Sequence, residues 1–251
     1  MTTKKFQLII WIFTLIIVVG SCIIRFAPFS SGRSEESEYD FSKYSVATVK
    51  VDADAADLYI EYGDEFKVNT NYQKNVEPKV TLEDECLTIE QKYSVNVRNL
   101  KDCYIKITLP KGTVIDTADI TASAGDIDID GVNFDTLKID ADAGDIDINE
   151  VTANDFVIEA DAGDIDVSKS VFDTVKVTTD AGAVEMEDVT ATNGTFDADM
   201  GSIDIDGDFE KITASCEMGD IDITVPDANK VDFDLDCELG SIKVNGSRWK
   251  N

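Results

Sequence analysis

Seven glycines, Gly125, Gly144, Gly163, Gly182, Gly201, Gly219 and Gly240, recur at spacings of 19, 19, 19, 19, 18 and 21 residues. A period this short restricts the chain to architectures in which small units stack on one another. Aligned on glycine, the positions five, three and one before it and two and four after it are apolar in 34 of 35 cases, Thr179 being the exception. The interleaved positions are Asp or Glu in 20 of 28. Alternation with period two is the mark of strands with one buried face. The apolar phase slips at each glycine, which predicts a corner there, because glycine accepts positive φ and close backbone approach. Ala or Met before the corner and Ile after it (Ala143 and Ile146, Met200 and Ile203) are expected to pack inside the bend. A second bend is expected between repeats, as over 149–155 and 188–194.

Nineteen residues cannot hold a βαβ crossover and show no helical period. The expected fold is therefore all-β, a right-handed parallel β-solenoid (β-helix) of about 19-residue turns stacked in register. An antiparallel sandwich is the alternative, but it calls for tight Asn-Gly hairpins. The stretch 49–61 aligns with 137–149, with Ala56 at the corner, and reads as a divergent first turn. The whole chain then divides into an anchor with a cytoplasmic stub (1–25), a flexible Ser/Glu-rich stalk (26–45), the divergent turn with an irregular β region (46–116), the regular array (117–246) and a tail (247–251).

The anchor is the apolar run 6–24, flanked by Lys4, Lys5 and Arg25. At about 1.5 Å per residue such a run matches the hydrocarbon thickness, so one N-terminal transmembrane helix is expected, with the body extracytoplasmic at the cell membrane. Val19-Gly20-Ser21-Cys22 also reads as a bacterial lipobox, which makes Cys22 the candidate lipidation site. The run continues past Cys22 without an A-x-A-like site, which favours the retained helix, and both readings tether the body. The net charge of −29 argues against a nucleic-acid partner. With no histidine, the Ser/His and Cys/His nucleophile pairs are unavailable.

Three features resemble the putative-adhesin family of β-strand-repeat envelope proteins, membrane-anchored, common in Gram-positive bacteria and of unknown function. They are the repeated Gly-Asp-Ile-Asp-Ile (125–129, 144–148, 219–223), the Leu109-Pro-Lys-Gly112 strand end, and the opening turn 49–61. The resemblance spans about residues 46–246 and implies a β-helical surface domain, sometimes linked with envelope-stress systems. It implies no established activity and no catalytic or ligand residues.

The outward carboxylates form two rows: Asp126, Asp145, Asp164 and Asp220, and Asp128, Asp147, Asp166, Glu185, Asp204 and Asp222. Stacked carboxylates suit calcium, a hard cation that takes six to eight oxygens. The Gly-Gly-x-Gly-x-Asp calcium repeat is lacking, so a solvated, anti-aggregation face with weak binding of divalent cations is the expectation. Paired acids also suggest glycoside hydrolysis, but short uniform turns wall no groove. The expectation is no enzyme, no catalytic residue, no cofactor and no specific metal site. Cys216 and Cys237 are expected to stack as buried thiols, and Cys86–Cys103 is the better disulfide candidate. Trp249 reads as a lid on the last turn. The function this supports is a surface interaction module with an unknown envelope protein or polymer as partner. The alternatives are a structural or stress-linked component acting through a neighbouring membrane protein, and a calcium-binding surface protein.

Overall fold

The computed structural model of the protein describes residues 34–73, 76–92 and 103–249. The apolar run, its flanking charges and Cys22 lie outside the described residues. Among those described, no helix is long and apolar enough to cross a membrane.

In chain order the strands before the array are β1 (Ser34–Asp40), β2 (Thr48–Ala53), β3 (Asp57–Gly63), β4 (Lys67–Gln73), β5 (Lys79–Glu83), β6 (Cys86–Gln91) and β7 (Tyr104–Pro110). The array continues with β8 (Val114–Ala122), β9 (Ile127–Asp130), β10 (Asn133–Ala141), β11 (Ile146–Asn149), β12 (Thr152–Ala162), β13 (Ile165–Ser168) and β14 (Val171–Ala181). It closes with β15 (Val184–Met200), β16 (Ile203–Met218), β17 (Ile221–Thr224), β18 (Asp232–Leu239), β19 (Ile242–Val244) and β20 (Ser247–Arg248). Successive turns pair as parallel strands in register: Ile139 lies beside Ile120 and Ile158, and Ile146 beside Ile127 and Ile165. The expected β-solenoid with a period of about 19 residues is therefore present. Strands β15 and β16 run through the second bend without a break and serve both faces.

The core is built from the alternating apolar positions, and large side chains are offset by small ones in the adjacent turns. Phe156 stacks on Phe172 with centroids 4.6 Å apart. At Gly194 a Cβ would lie 2.6 Å from the Phe196 ring and 3.0 Å from Phe209, so glycine there makes room for two phenylalanines.

Before the array the chain does not stack in sequence order. The opening turn β2–β3 pairs in parallel with β8 and β9 on one side, and with β6 and β7 on the other. The divergent turn is thus the second from the end, and the segment read as irregular supplies the terminal turn. Beyond it β4 and β5 pair antiparallel with β7 and β6.

The stalk is also corrected. Ser34–Asp40, inside the stretch read as flexible, is strand β1, antiparallel to β4. Its polar composition conceals one anchoring pair: Tyr39 stacks on Phe41 at 6.5 Å, and Phe41 meets buried Phe66 at 5.3 Å. Two aromatic contacts and a ladder of backbone bonds suffice where no apolar period exists.

Candidate functional site

The glycine corner is shaped by the backbone of the preceding turn. Gly163 has φ +133°, and a Cβ there would lie 2.0 Å from the carbonyl oxygen of Gly144. The same carbonyl approach recurs at every corner, including Gly201 and Gly240, whose φ lies outside the left-handed range. Close stacking, more than backbone freedom, is what demands glycine at these positions.

The residue just before each glycine does not pack inside the bend. Ala124 and Ala143 are exposed, Met200 and Met218 are each 40% exposed, and Leu239 is 64% exposed. The corner is a four-residue arc from two before glycine to one after it, so the apolar residue expected inside lies on the outer surface. The four remaining apolar positions of each repeat are buried throughout, except Cys237 and Ile242 in the last turn. The result is an apolar row along the corner, small at first and large in the last three turns, flanked by carboxylates.

The two acidic rows differ in what they do. In the row next to glycine, the Oδ1 atom of Asp126 accepts the N–H of Asp145 at 3.0 Å. Asp145 likewise accepts from Asp164, and Asp164 from Ala183. Asp220 accepts both the N–H and the hydroxyl of Ser241 at 2.8 Å, and these bonds hold its carboxyl below the usual range. This row is a staple between turns, bonding amides that the arc would leave unpaired.

The second row carries charge. Asp128, Asp147, Asp166 and Asp204 all have carboxyls raised above the ordinary value, by partial burial first and by neighbouring carboxylates second. Lysine stands at both ends of the row. Lys243, beside Asp222 in the last turn, reaches its carboxylate at 3.3 Å, and Lys106 in the terminal turn reaches Glu61 at 2.9 Å. Open surface hollows border this row around Glu185, Glu187 and Asp204. Among the described residues no group of three metal-ligating side chains is arranged to hold an ion.

Among the described residues Cys86, Cys103, Cys216 and Cys237 form no disulfide. Cys216 and Cys237 are direct neighbours in adjacent strands, as expected, and their thiols meet the carbonyls of Gly201 and Gly219. Burial raises both thiols. The Cys86–Cys103 bridge does not form: Cys86 lies beside Thr48 at the start of β2, while the Cys103 carbonyl accepts the N–H of Asp57 at the start of β3. One whole strand separates them. Trp249 does cover the last turn, its ring 5.3 Å from Phe233.

Sequence reasoning missed two devices. Gln91 is fully buried, and its amide bonds both the N–H and the C=O of Ala55, filling the terminal turn beneath the first corner. Six residues after the corner, Gly131, Glu150, Lys169 and Asp188 adopt left-handed backbone, with φ between 48° and 71°. Glu and Lys carry no compositional signal for that conformation.

The model of the family Toastrack DUF4097 matches residues 42–250. The chain belongs to this family. No curated protein matches it. Among solved structures, the toastrack body is similar to a putative adhesin of Bacteroides fragilis (17% identity, TM-score 0.52, covering 86% of this chain and 98% of that one). A putative adhesin of Parabacteroides distasonis aligns at 14% identity and TM-score 0.54, over 85% and 98% of the two chains. A putative lipid binding protein of the same organism aligns at 14% and 0.52, over 85% and 96%. At these identities the likeness is one of fold.

Proposed function

We propose that the chain is a non-enzymatic, membrane-anchored interaction module of the cell surface, its toastrack body held outside the membrane by the N-terminal apolar segment. The observation that carries this reading is the outer surface. Stacked turns present an apolar row and carboxylate rows at a fixed strand spacing of about 4.8 Å, a rigid repetitive display suited to an extended partner. The neighbours' names, adhesin and lipid binding protein, describe those proteins; they are compatible with a binding role and do not carry it. Divalent cations are held diffusely along the rows, without a chelating site.

The test is protease treatment of intact cells followed by cross-linking of the full-length protein in its envelope. Cleavage of the body from outside, with a cross-linked partner that persists when the apolar segment is replaced by an unrelated helix, is expected. Protection of the body until lysis, or loss of the partner on exchanging the helix, contradicts the reading.

A further inference from the structure

A solenoid must end somewhere, and its two ends here are finished differently. At the N-terminal end two edge strands, β1 and β5, lay the partly buried Tyr39, Val80 and Leu82 against the core. At the C-terminal end β19 is covered by the short antiparallel β20, while β18 pairs with β16 and, among the described residues, with no strand on its other side.

That free edge borders an uncovered core. Leu235 is buried, but Phe233, Cys237 and Ile242 are only partly so. Trp249 packs its ring against Phe233. The outward residues of the same strand are Asp232, Asp234, Asp236 and Glu238, all exposed. An edge with an apolar inner face and an acidic outer face asks for a strand that is apolar on one side and basic on the other.

A second copy of the chain does not meet that demand. Antiparallel pairing of two β18 strands with core faces aligned, Leu235 opposite Leu235, sets Asp234 opposite Asp236 and Asp232 opposite Glu238, each twice. Like charges directly opposite are destabilising, so the sequence of this edge discourages self-pairing.

We infer that the free edge of β18 is a strand acceptor for an extended segment of another protein in which apolar and basic residues alternate. The apolar residues extend the core over Leu235 and Cys237, and the basic ones lie against Asp234, Asp236 and Glu238. This deepens the interaction-module reading and rests on it.

The test uses the full-length chain in a mild detergent and a fluorescent nine-residue peptide of alternating lysine and valine. Its comparison is the same peptide with proline in place of the central-most valine, equal in charge but unable to complete the ladder. The proline peptide is expected to bind about tenfold more weakly. The double variant Asp234→Lys/Asp236→Lys is expected to lose about tenfold in affinity for the lysine peptide and to gain binding of an alternating glutamate–valine peptide. The same charge change placed mid-array, Asp155→Lys/Asp173→Lys, is expected to alter affinity by less than about twofold.

Equal binding of the two lysine peptides overturns the proposal, as does an equal loss in both double variants, which would mean general charge attraction. A sedimenting dimer that is lost in Phe233→Lys assigns the edge to a second copy and also overturns it. If the edge variant fails to fold, the peptide pair on the native chain still decides. Surface exposure and cross-linking in the envelope are measured separately, so the broader reading can stand when this one falls.

Discussion

The regular array and the region before it are built from the same strand chemistry but differ in how sequence maps to space. In the array each turn lies on the turn that precedes it in the chain, and a residue's neighbour is 19 positions away, as in the bond from Asp164 to Asp145. In the first part of the body the neighbour of Asp57 is Asp126, 69 positions away, because β2–β3 is held between the terminal turn and the array. A repeat encodes contact locally. An interleaved stack encodes it only through the fit of distant segments, and closing its loops costs chain entropy before any pairing is gained.

The sharpest way to break the comparison is one substitution made in both settings. Gly163→Ala places a Cβ 2.0 Å from the Gly144 carbonyl, against a backbone fixed on both sides by stacked turns. It is expected to lower stability by more than about 3 kcal/mol. Gly112, at φ +84° in the turn after β7, has nothing within 4 Å of its missing Cβ, so Gly112→Ala meets only backbone strain of about 1 kcal/mol. Urea melts of the two variants check this, and equal losses would remove the stacked corner from the account.

Two further substitutions separate position from chemistry within the array. Asp145→Ala removes an acceptor for the Asp164 N–H and is expected to lower the melting temperature by about 2–4 °C, whereas Asp147→Asn, two residues on, is expected to leave it level or slightly raised. Among the described residues Thr179 is buried with no partner for its hydroxyl, in a row that within the regular array is otherwise Ala and Cys. Thr179→Val is expected to gain about 1 kcal/mol, read from the same melts.

The smallest effect is in pH. Asp166 binds its proton more readily folded than unfolded, so its penalty is full at neutral pH and is relieved as pH falls through the raised folded value toward the ordinary 3.8. Asp166→Asn is therefore expected to be more stable than the native chain at neutral pH and to lose that advantage in acid. Asp220 acts oppositely, since its stabilisation is lost only as pH falls below the ordinary value through its lowered one. Melts across pH that show a constant difference between Asp166→Asn and the native chain would contradict this account of the row.

The array was legible because alternation and period agree: Ile146, Ile148 and the glycines announce their places without any contact being known. The residue before glycine was misplaced because an apolar side chain carries no record of which side of a bend it takes, and Met200, Met218 and Leu239 are as apolar outside as in. The hydrogen-bonded row was misread as bare charge because aspartate looks the same whether or not a backbone N–H lies 3 Å away. Strand β1 was hidden by its polarity, and Gln91 by the rule that polar residues face water. In each case what was missing is a partner far away in the chain.

The interleaved stack is tested most directly by distance. Spin labels carried on non-canonical residues at Asp236 and, in turn, at Thr121, Asp52 or Glu90 occupy equivalent outward positions in the same row of paired strands. At about 4.8 Å per turn, dipolar measurements should give separations of roughly 29, 34 and 38 Å, increasing in the order Thr121, Asp52, Glu90. A longer distance to Asp52 than to Glu90 would mean that the turns stack in chain order, and would contradict the central claim.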